Sequence, residues 1–197
     1  MLSLSYCAKL STIIRILGKA MKALKLLLIA GIYSLLISSQ SALAEKPFSW
    51  PEGKKAAVSL AYDDALHSQL DNAIPQLDKF GLKGSFYLTI SSNAYQTRTD
   101  EWQAAALNGH ELGNHTIHHA CRGSLPNREW VKADNDLDRK TVSKLVTEVK
   151  QTNQILQKLD GESIRTFTVP CVDHLAGGKS YVKEVSDLFV GIKGNVG

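Results

Sequence analysis

The chain has 197 residues, a length typical of one domain or two. Hydrophobic residues make up 44% and charged residues 21%, which excludes disordered, collagen-like and coiled-coil proteins. Residues 1–44 hold five of the 23 basic residues and none of the 19 acidic ones, so the net charge of +4 arises there. The remaining 18 basic residues are balanced by 19 acidic ones, and this part of the chain has no electrostatic signature of nucleic-acid binding.

The N-terminus has the pattern of an export signal. Lys22 and Lys25 precede an apolar run over 26–37, and the small residues Ala42 and Ala44 occupy the positions that signal peptidase recognises. The run is shorter than the ~20 residues that a membrane span needs. We therefore expect cleavage after Ala44; an uncleaved membrane anchor is the alternative.

The signal itself begins at Met21, which makes residues 1–20 a candidate upstream extension. Cleavage would leave the mature chain 45–197 in the periplasm or the medium, without attachment to the membrane. This length is sufficient to bury a hydrophobic core.

Beyond the signal, short apolar runs alternate with stretches of helical periodicity. The runs predicted as strands cover 56–62, 84–90, 110–115, 164–169 and 188–192. The predicted helices are one capped by Ser68 and ended by Gly81, one capped by Asp100 and ended by Gly109, and a long one over 142–159 ended by Gly161. This alternation predicts βαβ units, and hence a parallel sheet or barrel.

Polar residues follow three of these predicted strands. Asp63 and Asp64 follow the first, His115 ends the third, and Pro170 and Cys171 follow the fourth. Because the carboxyl ends of parallel strands meet at one edge of the sheet, we expect these residues to lie on the same side.

His115 and His119 are four residues apart, so on a helical turn their rings would share one face. Two imidazoles and one carboxylate suit zinc and its neighbours. The Asp63–Asp64 pair would supply the carboxylate, leaving its other member as a base. Non-haem iron oxygenases use the same donor set and are a remote alternative, since they combine it with a β-rich fold and a more widely separated histidine.

These motifs resemble those of the polysaccharide deacetylases, the NodB-homology superfamily of carbohydrate esterases. Residues 61–64 read A-Y-D-D, where the family has T-[FY]-D-D. Residues 109–119 read G-H-E-L-G-N-H-T-I-H-H and fit the family pattern G-H-E-[IL]-G-N-H-[ST]-x-x-H. The resemblance covers about 54–197 and implies an α/β fold, the distorted (β/α) barrel of that family.

The resemblance also implies the roles of individual residues. Asp64, His115 and His119 would bind a divalent metal, with zinc as the first choice and cobalt or nickel as the others. Asp63 would be the general base, and Thr116 would orient the histidine loop by a side-chain hydrogen bond. The implied reaction removes acetyl groups from an N- or O-acetylated polysaccharide or oligosaccharide. Chitin oligomers, peptidoglycan, poly-N-acetylglucosamine and acetylxylan all remain open as substrates.

The third family motif, R-x-P-Y, is altered here. Aligning Pro170 with the family proline places Cys171 at the tyrosine and Thr168 at the arginine, while Arg165 comes three residues too early. The backbone N–H of Cys171 could still serve as the oxyanion donor. The residue that would brace Asp63 is not identified.

The family's two later motifs, D-x-x-D-W and the L-x-H that carries the general acid, are not found in residues 1–197. We therefore expect a partial, C-terminally truncated deacetylase domain. The alternative from another class is an exported metal- or sugar-binding domain with weak or no catalytic activity.

Two cysteines remain after the signal, Cys121 and Cys171. The family fold would bring their loops together at the rim of the metal site, and an exported domain could join them by a disulfide. Two buried free thiols are the alternative; ligation of the metal by the thiolates would overfill the triad.

Overall fold

The computed structural model describes residues 50–194. The chain divides into one unit up to Ala56 and a second from Ala57. The described part of the first unit contains a short 3₁₀ turn, Pro51–Gly53, and the predicted export signal lies outside the described residues. No helix within residues 50–194 is long and apolar enough to cross a membrane.

The second unit is built on a sheet of five parallel strands. They are β1 (Ala61–Asp63), β2 (Ser85–Leu88), β3 (Glu111–Asn114), β4 (Thr166–Thr168) and, after an intervening hairpin, β7 (Gly191–Lys193). The spatial order is β1-β2-β3-β4-β7, with every neighbouring pair parallel. This confirms the predicted α/β class, and the five strands form an open, curled half-barrel.

Each strand is shorter than its predicted run, because only part of each apolar stretch pairs with a neighbour. The register aligns Tyr62 with Phe86, Phe86 with Leu112, and Phe167 with Ile192. The small hairpin consists of β5 (Leu175–Ala176) and β6 (Lys179–Ser180), joined through two glycines with positive φ.

Five helices accompany the sheet: α1 (Ile74–Lys79), α2 (Asn93–Thr97), α3 (Thr99–Leu107), α4 (Val142–Asp160) and α5 (Val182–Val185). A π-helical turn, Gln69–Ala73, leads into α1. The long helix matches its predicted span and ends, as predicted, at Gly161, which is left-handed with φ 79°. Thr141, which was not predicted as a cap, caps its start.

Two predicted caps are wrong. Ser68 has helical backbone angles and makes no capping bond, so it already belongs to the turn before α1. Asp100 lies inside the first turn of α3, which follows directly on α2. The cap in this region is instead Ser92, whose extended backbone lets its hydroxyl accept a hydrogen bond from the Tyr95 N–H at 3.1 Å.

Two apolar clusters hold the helices on the sheet. In one cluster, Phe86 and Leu112 of the sheet pack with Trp102 of α3. In the other, Phe167 of the sheet packs with Val149 of α4. All five of these residues are buried. This packing holds the helices against the sheet. The candidate site is formed by the loops at the carboxyl ends of the strands.

Candidate metal centre

The carboxylate of Asp64 faces both predicted histidine ligands. Its Oδ1 lies 3.3 Å from Nε2 of His115 and 3.2 Å from Nε2 of His119. The two imidazole rings meet edge to face, with their centroids 4.8 Å apart. One atom of each side chain thus converges on a common point, a geometry that could hold a metal ion.

The hydrogen bonding of His115 favours a cation at this point. Its Nδ1 lies 2.8 Å from the carbonyl oxygen of Thr168, so Nδ1 must donate the proton. In a neutral ring, Nε2 then directs a lone pair toward the Asp64 carboxylate, which also carries lone pairs. A metal ion between them resolves this repulsion, and the carbonyl contact orients the ring as in other metal sites.

The ionisation of Asp64 suits a ligand. The close contacts of its carboxylate with His115 and then His119 hold the pKa of Asp64 well below its usual range, although partial burial acts in the opposite direction. Asp64 also adopts a left-handed backbone with φ 80°, which turns it away from the direction of β1.

The histidine segment is not the helical turn that the spacing predicts. Thr116 and His119 have positive φ values of 65° and 51°, so the backbone at both residues departs from right-handed helical geometry. The Thr116 hydroxyl accepts a hydrogen bond from the His119 N–H at 3.0 Å, the contact expected of Thr116. The rings therefore converge through a tight loop rather than along a helix face.

Asn114, which the sequence analysis did not single out, anchors this loop. Its side chain is fully buried; the amide donates to the Val149 carbonyl at 2.9 Å and to Asn153 at 2.7 Å, both on α4. Its Oδ1 accepts the N–H of Thr116 at 2.9 Å. The histidine loop is thereby fixed to the longest helix of the domain.

Asp63 lies beside the triad and is held by a lysine. Nζ of Lys193, the last residue of β7, is 2.8 Å from each carboxylate oxygen of Asp63. The same ammonium lies 5.0 Å from the centroid of the Tyr87 ring. Lys193 was not among the predicted site residues, although it directly follows the fifth predicted strand and so reaches the same edge of the sheet.

Arg165 does not reach Asp63. It is buried at the amino end of β4, where its guanidinium pairs with Asp160 and donates to the carbonyls of Leu112 and Glu162. A cavity of about 520 Å³ opens there, at the end of the sheet opposite the triad. Lys193 therefore occupies the bracing position for which the sequence offered no residue.

The loop after β4 completes the site. Pro170 begins a 3₁₀ turn, Pro170–Val172, and Cys171 inside it has φ 55°. A disulfide joins Cys121 to Cys171, with the two Cα atoms 5.8 Å apart. The bond links the segment after His119 to the loop that would supply the oxyanion donor.

One cavity of about 400 Å³ brings these parts together. It is lined by the predicted residues Asp63, Asp64, His115, His119 and Cys171 and by the unpredicted Thr168, Val169, Val172, Lys193 and Gly194. Thr116 and Pro170 do not line it: Thr116 accepts a hydrogen bond from His119, and Pro170 begins the turn that contains Cys171. Such a site combines a triad that could hold a metal ion, an adjacent carboxylate and a backbone turn within one opening.

The family profile described as polysaccharide deacetylase matches residues 51–185. The chain belongs to the polysaccharide deacetylase family. This membership confirms the resemblance of the motifs and argues against the oxygenase alternative, whose donor set occurs on a different fold.

A solved deacetylase structure supports the fold. A deacetylase from Streptococcus pyogenes, solved with acetate, superposes with a TM-score of 0.54 at 17% identity, over 71% of this chain and 55% of that one. A CE4 family pseudoenzyme from Bacillus anthracis gives a TM-score of 0.48 at 17% identity, over 68% of this chain and 41% of that one.

Among characterised sequences, a gellan lyase from Bacillus sp is 31% identical over 75 residues, which are 38% of this chain and 3% of that protein. The chain thus spans 55% of the length of the Streptococcus pyogenes protein and less than half of the length of the other two relatives.

Proposed function

We propose that this chain is a metal-dependent hydrolase that removes acetyl groups from N- or O-acetylated carbohydrate. The observation that carries the proposal is the convergence of Asp64, His115 and His119 in one cavity with Asp63, a second carboxylate outside the ligand set. Family membership supports the same chemistry.

Two imidazoles and one carboxylate fit zinc, with cobalt and nickel as the alternatives. A divalent ion held by them would polarise the acetyl carbonyl and acidify a water molecule. Three protein ligands leave coordination positions open for both. The residues of the chain would then bind the substrate and accept the proton of the attacking water.

Asp63 is proposed as the general base that accepts the proton of the attacking water. Lys193 is proposed as its positioning residue, because the ammonium contacts both carboxylate oxygens at 2.8 Å and fixes their orientation. The Cys171 N–H is proposed as the donor to the developing oxyanion, and its turn is restrained by the disulfide to Cys121.

Export is part of the proposal. The N-terminal pattern of 1–44 predicts it, and a disulfide is typical of proteins that fold in an oxidising compartment. The substrate would then be a polysaccharide of the cell envelope or the surroundings.

Acetate release from chitin oligomers, peptidoglycan fragments, poly-N-acetylglucosamine and acetylxylan tests the function. We expect release from at least one substrate by the zinc-, cobalt- or nickel-loaded protein. Asp63→Asn should retain the metal but lose the activity, because it removes the base and keeps the ligands.

Unchanged acetate release by Asp63→Asn would overturn the assignment of the base. If the wild-type chain binds metal stoichiometrically and releases no acetate from any of the four substrates, the inactive metal- or sugar-binding domain is the correct alternative.

A further inference from the structure

A second cavity adjoins the metal site on the side of the histidine loop. It has a volume of about 320 Å³ and is lined by His118, His119, Cys121, Trp130, Val131, Lys132 and Asn135. His119 lines both cavities, and Cys121 is bonded to Cys171, which lines the metal cavity. The ring of His119 and the disulfide therefore separate two neighbouring compartments.

An exposed indole forms part of the second cavity. Trp130 is 59% exposed, whereas Trp102 is completely buried in the core. The Trp130 Nε1–H already donates to the Asn127 carbonyl at 3.1 Å, so the ring presents mainly its apolar surface. A large aromatic surface beside a polar cavity is a common feature of small-molecule sites.

Arg128 holds the indole of Trp130 in place. The guanidinium carbon of Arg128 lies 5.5 Å from the centroid of the Trp130 ring, and Arg128 does not line the cavity. Arg128 is itself tied to the oxyanion loop, through the Cys171 carbonyl at 3.4 Å and the Asp173 carboxylate at 3.7 Å. The orientation of the indole is thus coupled to the catalytic loop, which an accidental surface tryptophan would not require.

Polar groups surround the aromatic surface. Lys132 and Asn135 line the cavity, and the side-chain amide of Asn135 donates to the His118 carbonyl at 3.3 Å. A pyranose ring has matching chemistry, since its C–H faces are apolar and its hydroxyl groups at the edge are polar. Stacking on one aromatic face with hydrogen bonds at the edge is the arrangement such a ring needs.

We infer that the Trp130 cavity is a carbohydrate subsite, which binds the sugar unit next to the one whose acetyl group lies at the metal. This inference rests on the proposed function. It assigns to Trp130 the recognition of a chain of sugars rather than of a single acetylated unit.

Binding to the base-deficient Asp63→Asn protein tests the subsite without turnover. The probes are tetra-N-acetylchitotetraose and acetylated xylotetraose, titrated by calorimetry against the full chain with and without Trp130→Ala. We expect at least one tetrasaccharide to bind, and Trp130→Ala to weaken its binding at least tenfold. Trp130→Phe should retain affinity within about threefold, because a phenyl ring still stacks.

Leu107→Ala is the matched control, because Leu107 is 83% exposed at the opposite end of the sheet. It should leave the affinity unchanged. Equal affinities of the Trp130→Ala and parent proteins, or no measurable binding of either tetrasaccharide to the parent, would overturn the inference.

Hydrolysis of 4-nitrophenyl acetate by the metal-loaded wild-type background separates the two proposals. Hydrolysis of this small ester by the parent protein tests the activity alone, because the ester does not extend to the Trp130 cavity. Weakened tetrasaccharide binding without acetate release from any substrate would retain the subsite and refute the activity. Acetate release with unchanged tetrasaccharide binding would do the reverse.

Discussion

Left-handed backbone at residues other than glycine is concentrated around the candidate metal centre. Eight such residues occur in the described part of the chain, and six of them lie in the three loops of the site: Asp64, Ala65, Thr116, His119, Cys171 and Val172. Each such conformation costs on the order of 1–3 kcal/mol and persists where the surroundings enforce it. Hydrogen bonds to the side chains of Asn114 and Thr116 hold the histidine loop in its left-handed conformation.

The metal ligands give the first prediction at this scale. His115→Ala or His119→Ala should each abolish tight binding of one divalent ion, because two donors do not complete the site. Elemental analysis after dialysis should show a metal-to-protein ratio near one for the parent and near zero for each variant. His118→Ala is the control, because His118 lies outside the ligand set, and should keep the ratio near one.

Full metal occupancy of the His115→Ala, His119→Ala double variant would refute the site. Loss of metal from His118→Ala would show that the loop, rather than the two ligands, is what the substitutions disturb.

Lys193 gives a second prediction. Lys193→Ala should lower kcat by about tenfold, equivalent to ~1.4 kcal/mol, because the base is no longer held in one orientation. KM and the metal content should stay unchanged. The melting temperature should change little, because both partners are partly exposed and such ion pairs contribute only about 0–1 kcal/mol to stability.

Lys193→Arg should restore most of the lost rate, since a guanidinium can also contact both carboxylate oxygens. An unchanged kcat in Lys193→Ala, or a loss that Lys193→Arg does not reverse, would contradict the positioning role.

Among the secondary-structure elements, the existence of the strands and the residues at their carboxyl ends were predictable from the sequence. The conformations of the loops were not. The apolar runs and the long helix have clear periodicity, and the rule that carboxyl ends meet at one edge placed Asp63, Asp64 and His115 correctly. The same rule would also have found Lys193. The spacing of His115 and His119, in contrast, predicted a helical turn. The two residues with positive φ, Thr116 and His119, are not glycines, so no signal in the sequence marks the loop that they form.

The loop after β4 shows a similar limit. Pro170 predicted a break in the chain, but the hydrogen bond from His115 to the Thr168 carbonyl depends on the register between β3 and β4. The stacking of Arg128 on Trp130 depends on a loop with no regular periodicity. Such contacts arise from tertiary packing and have no local sequence pattern.

The disulfide gives the third prediction. Cys121 and Cys171 are 50 residues apart, and replacing both by serine should lower the free energy of unfolding by about 4 kcal/mol in the chain-entropy model. Urea unfolding of the oxidised parent and the double variant measures the difference. A reductant should destabilise the parent to a similar extent and leave the variant unaffected.

Quantitative labelling of Cys121 and Cys171 in unreduced, exported protein would show two free thiols and contradict the bond. Metal binding by the double variant is a further readout, because the disulfide lies next to His119 and restrains its loop.

At the scale of the whole molecule, the described sheet is open. Within residues 50–194, β1 pairs only with β2 and β7 pairs only with β4, so each outer strand has one neighbour. The candidate metal centre lies at the carboxyl ends of this sheet, with its residues in or directly after β1, β3, β4 and β7. It is therefore assembled from four of the five described strands, including both outer ones.

The N-terminal segment gives the last prediction, which concerns the location of the molecule. Expression of the full chain in a bacterial host should yield an exported protein that begins at Glu45, because Ala42 and Ala44 satisfy the small-residue requirement of signal peptidase. Intact mass and N-terminal sequencing of the periplasmic and medium fractions measure this. Ala44→Arg should block the cleavage, whereas Gln40→Ala, outside the two recognised positions, should not. Exported protein that retains residues 21–44 would instead establish an uncleaved anchor.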